Sequence, residues 1–289
     1  MTIRALVVGG TSGIGYAMAN RLAMSLGPAS TVVISGRTKP AEMPHPNVEF
    51  RPLDASSMRT IKKYTDTFKA SQPQLDYLIM SQGIMTTAGR TETAEGIDRK
   101  MAIHFYGKQL LLRELLPVLT DSARVIIVLD AWLGSPSKLI WDDLDLKTHY
   151  SLGKAADHCV SMTDAMVQYW ARQQKRAAEP GKTRHFVHAY PGGVNTNLLR
   201  DVVPRPLHGT VRVLGNVFLT SPDQCAERLL RGAEECAAEG GAKGRFWSNI
   251  DNKGRLFKNK AEAPWSDDQI DTVAAHTWKI VDAGLAVPE

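Results

Sequence analysis

The chain has 289 residues, 43% of them hydrophobic and 22% charged, and 35 Lys+Arg against 30 Asp+Glu leave a net charge of +5. Such usage supports a large buried core, excludes a disordered chain, and contains no run of like charges long enough for a nucleic-acid arm. No apolar run reaches the ~20 residues of a membrane helix, no leader-like segment precedes the first strand-like stretch, and Cys159, Cys225 and Cys236 lack metal-ligand spacing, so the expectation is a cytoplasmic protein with reduced thiols, no metal, no nucleic-acid partner and no membrane span.

In chain order, residues 5–8 form a short β-branched apolar run that reads as a buried strand, and a helical pattern follows over 13–26. Further strands are predicted over 31–35, 48–53, 77–80, 125–129 and 185–189, with helices over 58–70, 93–119 and 150–175 between them. Strands with few polar positions, separated by helices, predict a doubly wound α/β fold with a central parallel sheet covered on both faces. No internal repeat or linker divides the chain, so residues 1–289 read as a single domain. Residues 194–221 form its least regular part, a substrate flap with an apolar lid (Val202, Val203, Leu207, Val211, Val213, Leu214, Val217, Phe218), and 222–289 hold C-terminal helices and a last strand.

Three constellations carry chemistry. The first is Gly9-Gly10-Thr11-Ser12-Gly13-Ile14-Gly15, between the first strand and the first helix. Its glycines let the backbone approach a pyrophosphate, and the helix N-terminus offers unpaired N–H groups and the positive end of a dipole. The second is the end of the second strand, where no Asp or Glu stands to bond a ribose. Arg37 is there instead, with Thr38 and Ser12 as hydroxyl donors and Lys39 as a further cation, so NADP(H) is favoured over NAD(H). The third is Tyr150-Ser-Leu-Gly-Lys154: at i and i+4 on one helical face, an ammonium favours the phenolate and brings a tyrosine toward working range as acid/base.

The spacing Gly9-x-x-x-Gly13-x-Gly15 with Tyr150-x-x-x-Lys154 resembles the short-chain dehydrogenase/reductase family, in motif order from about residue 3 to 200. Gly244-Arg-Phe-Trp and the last helix are similar to its retinol-dehydrogenase-like and fungal branches. The resemblance implies a single Rossmann-type domain and an NADP(H)-dependent oxidoreductase acting on a carbonyl or alcohol of an apolar small molecule. It makes Tyr150 the acid/base and gives Lys154 the nicotinamide ribose as well as the tuning of Tyr150. It places Asp54 beside the adenine, and it lays Pro191-Gly192-Gly193-Val194-Asn195-Thr196 over the nicotinamide, with Val194 offering backbone groups to the carboxamide and Thr196 a hydroxyl to the carboxamide or the pyrophosphate. Relatives are often dimers or tetramers built from the fourth and fifth helices, so a homo-oligomer is implied.

The chain departs from the family pattern in four places. Val8 stands where a threonine is usual; Met80-Ser81-Gln82-Gly83 replaces Asn-Asn-Ala-Gly and keeps only Gly83; His104 takes the place of the helix-four asparagine; and Asp130 falls where the substrate-orienting serine belongs, with Ser135 and Ser137 a few residues on. A protonated Asp130 could donate as serine does, whereas an ionised one suits a cationic iminium substrate. Two other readings therefore stand beside the carbonyl one: an imine or iminium reductase with Asp130 as counter-ion, and a cofactor-binding homologue without turnover.

Overall fold

A computed structural model describes residues 2–176, 181–196 and 219–288 of the protein. The predicted flap residues Val202 to Phe218 lie outside the described residues. The elements are β1 (Thr2–Val8), α1 (Gly13–Leu26), β2 (Ser30–Gly36), β3 (Val48–Pro52), α2 (Met58–Ala70), β4 (Leu75–Met80), α3 (Arg99–Met101), α4 (Gly107–Leu115), β5 (Leu119–Val128), α5 (Leu152–Arg176), β6 (His185–Ala189), α6 (Pro222–Ala242), β7 (Trp247–Ile250), α7 (Lys258–Glu262) and α8 (Asp267–Ala286). A π-helical turn, Ala102–Tyr106, joins α3 to α4.

All seven strands are parallel, in the order β3-β2-β1-β4-β5-β6-β7. The chain runs outward from β1 to β3, then returns to start β4 on the other side of β1. The gap between β1 and β4 is the switch point, where such sheets open a crevice at their carboxyl ends. Alternate side chains of each strand feed opposite layers. Leu6 and Val8 pack with α2, α4, α5 and α8, whereas Ala5 and Val7 pack with α1 and α6. Over the central strands both layers are closed to water, which is why β1 and β2 read as nearly continuous apolar runs, whereas edge strand β3 alternates with Glu49 and Arg51.

The predicted helix over 93–119 is shorter in the structure. Asp98 caps α3, its carboxylate accepting from the Lys100 and Met101 amides, and residues 93–98 instead form a turn. Pro117, which has no amide proton, closes the other end in a 3₁₀ turn, and Leu119 then pairs with Leu75, so β5 starts six residues earlier than predicted. α8 lies across α5 and α4. Trp278 packs on Trp170 at 5.6 Å, Arg113 reaches Asp282 at 2.7 Å, and Arg172 reaches Asp267 at 2.7 Å. A helix of the same chain thus packs on part of the α4 and α5 surfaces.

A buried polar knot fastens α5 to the end of the sheet. The Asp164 carboxylate meets His188 at 2.5 Å, the Asn249 amide, and the Lys260 ammonium at 2.6 Å. Four segments from 164 to 260 supply it. Burial lowers the pKa of His188 and favours its neutral ring, so the Lys260 ammonium balances the buried anion while His188 and Asn249 hydrogen-bond to it, which offsets the cost of a charge at this depth.

Candidate active site

The turn after β1 is shaped by close backbone contacts. Gly9 has φ of 82° and Gly13 φ of 55°, in the left-handed region that side chains disfavour. A Cβ on Gly9 would lie 2.8 Å from Gln82 Cα, and one on Gly13 would lie 3.1 Å from the Thr196 methyl. A Cβ on Gly15 would collide with the Ser81 hydroxyl and the Gly9 carbonyl. The turn can therefore approach β4 only as glycine. It opens a crevice of about 290 Å³ lined by Gly9, Thr11, Ser12, Gly13, Ile14 and Gly15, by Arg37, Leu53, Asp54 and Ala55, by Ser81, Gln82 and Gly83, and by Ile103 and Thr196.

The start of α1 is unlike the other serine-capped helices. Ser57, Ser221 and Ser266 each accept a backbone N–H in the first turn of α2, α6 and α8. Ser12 makes no such bond, and the first turn of α1 holds no acidic residue. Its amides thus face the crevice without a side-chain acceptor, the arrangement that favours an anion.

Arg37 is exposed on the crevice wall, and Thr38 and Lys39 are exposed just beyond its lining. Asp54 sits nearby. Burial pushes its carboxyl up, but hydrogen bonds from the Ser56 hydroxyl (2.6 Å) and amide (3.0 Å), with the charges of Arg37 and Arg99, outweigh this and hold it below the usual range. Thr196 reaches the crevice from the segment after β6, where Val194 pairs with Thr220 and the Pro191 carbonyl accepts from the Cys225 thiol at 3.7 Å. Gly192 packs on Asn252, a Cβ there lying 2.8 Å from Nδ2.

His104 occupies the π-helical turn directly behind Gly83. A Cβ on Gly83 would come within 2.8 Å of the imidazole, whose Nε2 lies 2.9 Å from the Ile84 carbonyl oxygen. Burial first, then the charge of Lys108, lowers this histidine to about 4, so the ring is neutral and its role is to hold the β4 exit. Lys108, one turn on, is fully buried and donates to the Met80 and Val128 carbonyls at 3.3 and 3.0 Å, tying the ends of β4 and β5 together. Burial pushes its ammonium down to about 7.

The groups after β5 are arranged differently from their sequence spacing. Tyr150 lies two residues before α5, not within it, because Ser151 caps the Lys154 amide at 3.2 Å and the helix starts at Leu152. The Tyr150 hydroxyl is buried without a hydrogen-bond partner among the described residues. Its ring lies 5.4 Å from the ammonium of Lys100, one turn before the crevice-lining Ile103, whereas Lys154 is exposed. Asp130 is half-buried and accepts from the Trp132 and Leu133 amides at 3.1 and 3.4 Å, so one oxygen braces its own loop. Ser135 and Ser137 bond each other at 2.8 Å. The structure thus brings the glycine turn, Arg37, Asp54, Gly83 and Thr196 together in one crevice, and keeps Tyr150, Lys154 and Asp130 outside its lining.

Comparison with known proteins fits this architecture. The family model described as short chain dehydrogenase matches residues 4–203. The chain belongs to the short chain dehydrogenase family. Within it, the protein is similar to an oxidoreductase of Emericella nidulans, 33% identical over 216 residues, which are 71% of this chain and 62% of the relative. It is also 28% identical over 277 residues to the polyprenol dehydrogenase of Mus musculus, covering 90% and 76% of the two. The match spans about three fifths of the first fungal relatives' length. Among solved short chain dehydrogenase folds, an NADPH-bound carbonyl reductase from chicken fatty liver superposes with a TM-score of 0.61 at 15% identity, over 89% of this chain and 99% of that one. A short chain dehydrogenase from Burkholderia cenocepacia in complex with NADP gives 0.60 at 18%, over 88% and 97%.

The sequence reading missed Leu53, Ala55, Ser81, Gln82 and Ile103 as lining residues. The available signal was their place just beyond the carboxyl ends of β3 and β4 and on the helix facing them. Among the described residues no group of metal-ligating side chains occurs, and no helix is long and apolar enough to cross a membrane.

Proposed function

We propose that this protein is an NADP(H)-dependent oxidoreductase acting at a carbonyl or alcohol carbon of an apolar small molecule. The observation that carries the reading is the crevice at the β1–β4 switch point: uncapped α1 amides for a pyrophosphate, glycines admitting it to the backbone, and Arg37 at the β2 end for a 2′-phosphate. Asp54 would face the adenine, and Thr196, with the Val194 backbone, the far half of the dinucleotide. When bound, NADP(H) supplies or accepts the hydride.

The protein's own part is proton transfer. The Tyr150 hydroxyl donates to the substrate oxygen in reduction and takes the proton back in oxidation. A sheltered phenol without an internal partner is completed by a substrate oxygen, since leaving it unpaired is costly. The Lys100 ammonium lies 5.4 Å from the centre of its ring, and Lys154 would hold the nicotinamide ribose once the dinucleotide is in place. Met85, Trp132, Leu133, Trp141 and Leu152, the large exposed apolar side chains other than Met24 among the described residues, all follow the carboxyl ends of β4 and β5, and support an apolar substrate.

The test is a titration with NADPH and NADH, followed by turnover with apolar aldehydes, ketones and imines. Tight NADPH binding and carbonyl reduction that falls by about 10²–10⁴ in Tyr150→Phe, with NADPH affinity unchanged, is the expected result. NADPH binding without turnover of any substrate would leave a cofactor-binding homologue, and full activity in Y150F would remove Tyr150 from the chemistry.

A further inference from the structure

Gln82 stands where the family pattern quoted above has alanine, at the carboxyl end of β4. The residue is 93% buried, yet it lines the crevice, and neither Nε2 nor Oε1 has a hydrogen-bond partner among the described residues. Its backbone is clamped against the glycine turn, since even a Cβ on Gly9 would lie 2.8 Å from Gln82 Cα. A primary amide without partners inside a fold is disfavoured unless something else completes it.

We infer that Gln82 is a dinucleotide-binding residue, its amide oxygen accepting from, and its amide nitrogen donating to, the hydroxyls of a ribose. An amide presents a donor and an acceptor side by side, and a ribose hydroxyl can play either role. A phosphate, which only accepts, cannot satisfy both halves of the amide. The inference rests on the proposed NADP(H) reading and adds a side-chain contact at a position where an alanine has none.

The experiment compares wild type with Gln82→Met, which keeps length and burial but removes both hydrogen-bonding atoms. NADPH affinity of Q82M falls about ten-fold, the size expected for two lost hydrogen bonds to a ligand, while the melting temperature of the ligand-free protein stays level or rises because an unpaired buried amide is gone. A parallel titration with 2′,5′-ADP separates the two riboses: a matching loss places the contact on the adenosine ribose, and an unchanged affinity places it on the nicotinamide ribose. Q82M binding NADPH within two-fold of wild type overturns the inference. So does a ligand-free melting temperature lowered by several degrees, which would make Gln82 a packing residue. If wild type itself does not bind NADPH, the underlying NADP(H) reading fails instead.

Discussion

The two ends of the site are built from different materials. The crevice at β1–α1 is made of backbone: glycines with little steric choice, amides at a helix start, and one arginine at the next strand end. The region after β5 is made of side chains on a connection of more than twenty residues, and there Asp130 turns back on its own loop while Tyr150 precedes its helix. A site made of backbone follows from local residue types, because φ and Cβ clashes act over a few residues. A site made of side chains depends on how a long loop packs, so equal spacing in sequence does not guarantee equal geometry.

The largest effect that would break this contrast is at the turn. Gly9→Val places a branched side chain at φ of 82° and against Gln82, so NADPH binding should fall at least about 100-fold and the melting temperature should drop. Binding retained in a calorimetric titration would mean the crevice is not the nucleotide site. Arg37→Ala comes next. Losing a charge-assisted fork to the 2′-phosphate should weaken NADPH about 10–100-fold and NADH hardly at all, and equal losses would remove the 2′-phosphate role.

On the other side, Asp130→Asn keeps the oxygen that accepts from Trp132 and Leu133, so carbonyl turnover should stay within about three-fold. A much larger loss confined to iminium substrates would give the carboxylate a charge role and favour the imine reductase reading. The smallest effect is a slope. Lys108 titrates at about 7 in the fold and at its ordinary 10.5 when unfolded, so between those values the unfolded chain binds more protons and stability rises with pH. Thermal melts of wild type should therefore climb by a few degrees from pH 7 toward 10 relative to Lys108→Met, in which that component of the rise is absent; parallel profiles would show that Lys108 keeps its proton in the core.

Much of the fold was legible because both faces of the sheet are covered. The central strands appeared as apolar runs, whereas the edge strand β3 carries Glu49 and Arg51, and α1 and α2 were bounded to the residue by Gly13, Leu26, Met58 and Ala70. The helix predicted over 93–119 was overextended, since its apolar periodicity runs past both the Asp98 cap and Pro117. The packing of α8 over α4 and α5 left no local mark, because the contacts of Trp278 and Asp282 are with residues more than a hundred positions earlier.

Local chemistry in the chain determined the parallel α/β class, the glycine turn, the arginine at the second strand and the identity of the tyrosine and lysine. Tertiary structure alone decided that Ser12 leaves the α1 amides open, that Tyr150 is sheltered beside Lys100, and that Asp164, His188, Asn249 and Lys260 meet in one buried knot. Steric and hydrogen-bonding preferences of neighbouring residues are written in short segments, whereas burial and the pairing of distant charges exist only once the layers have closed on one another.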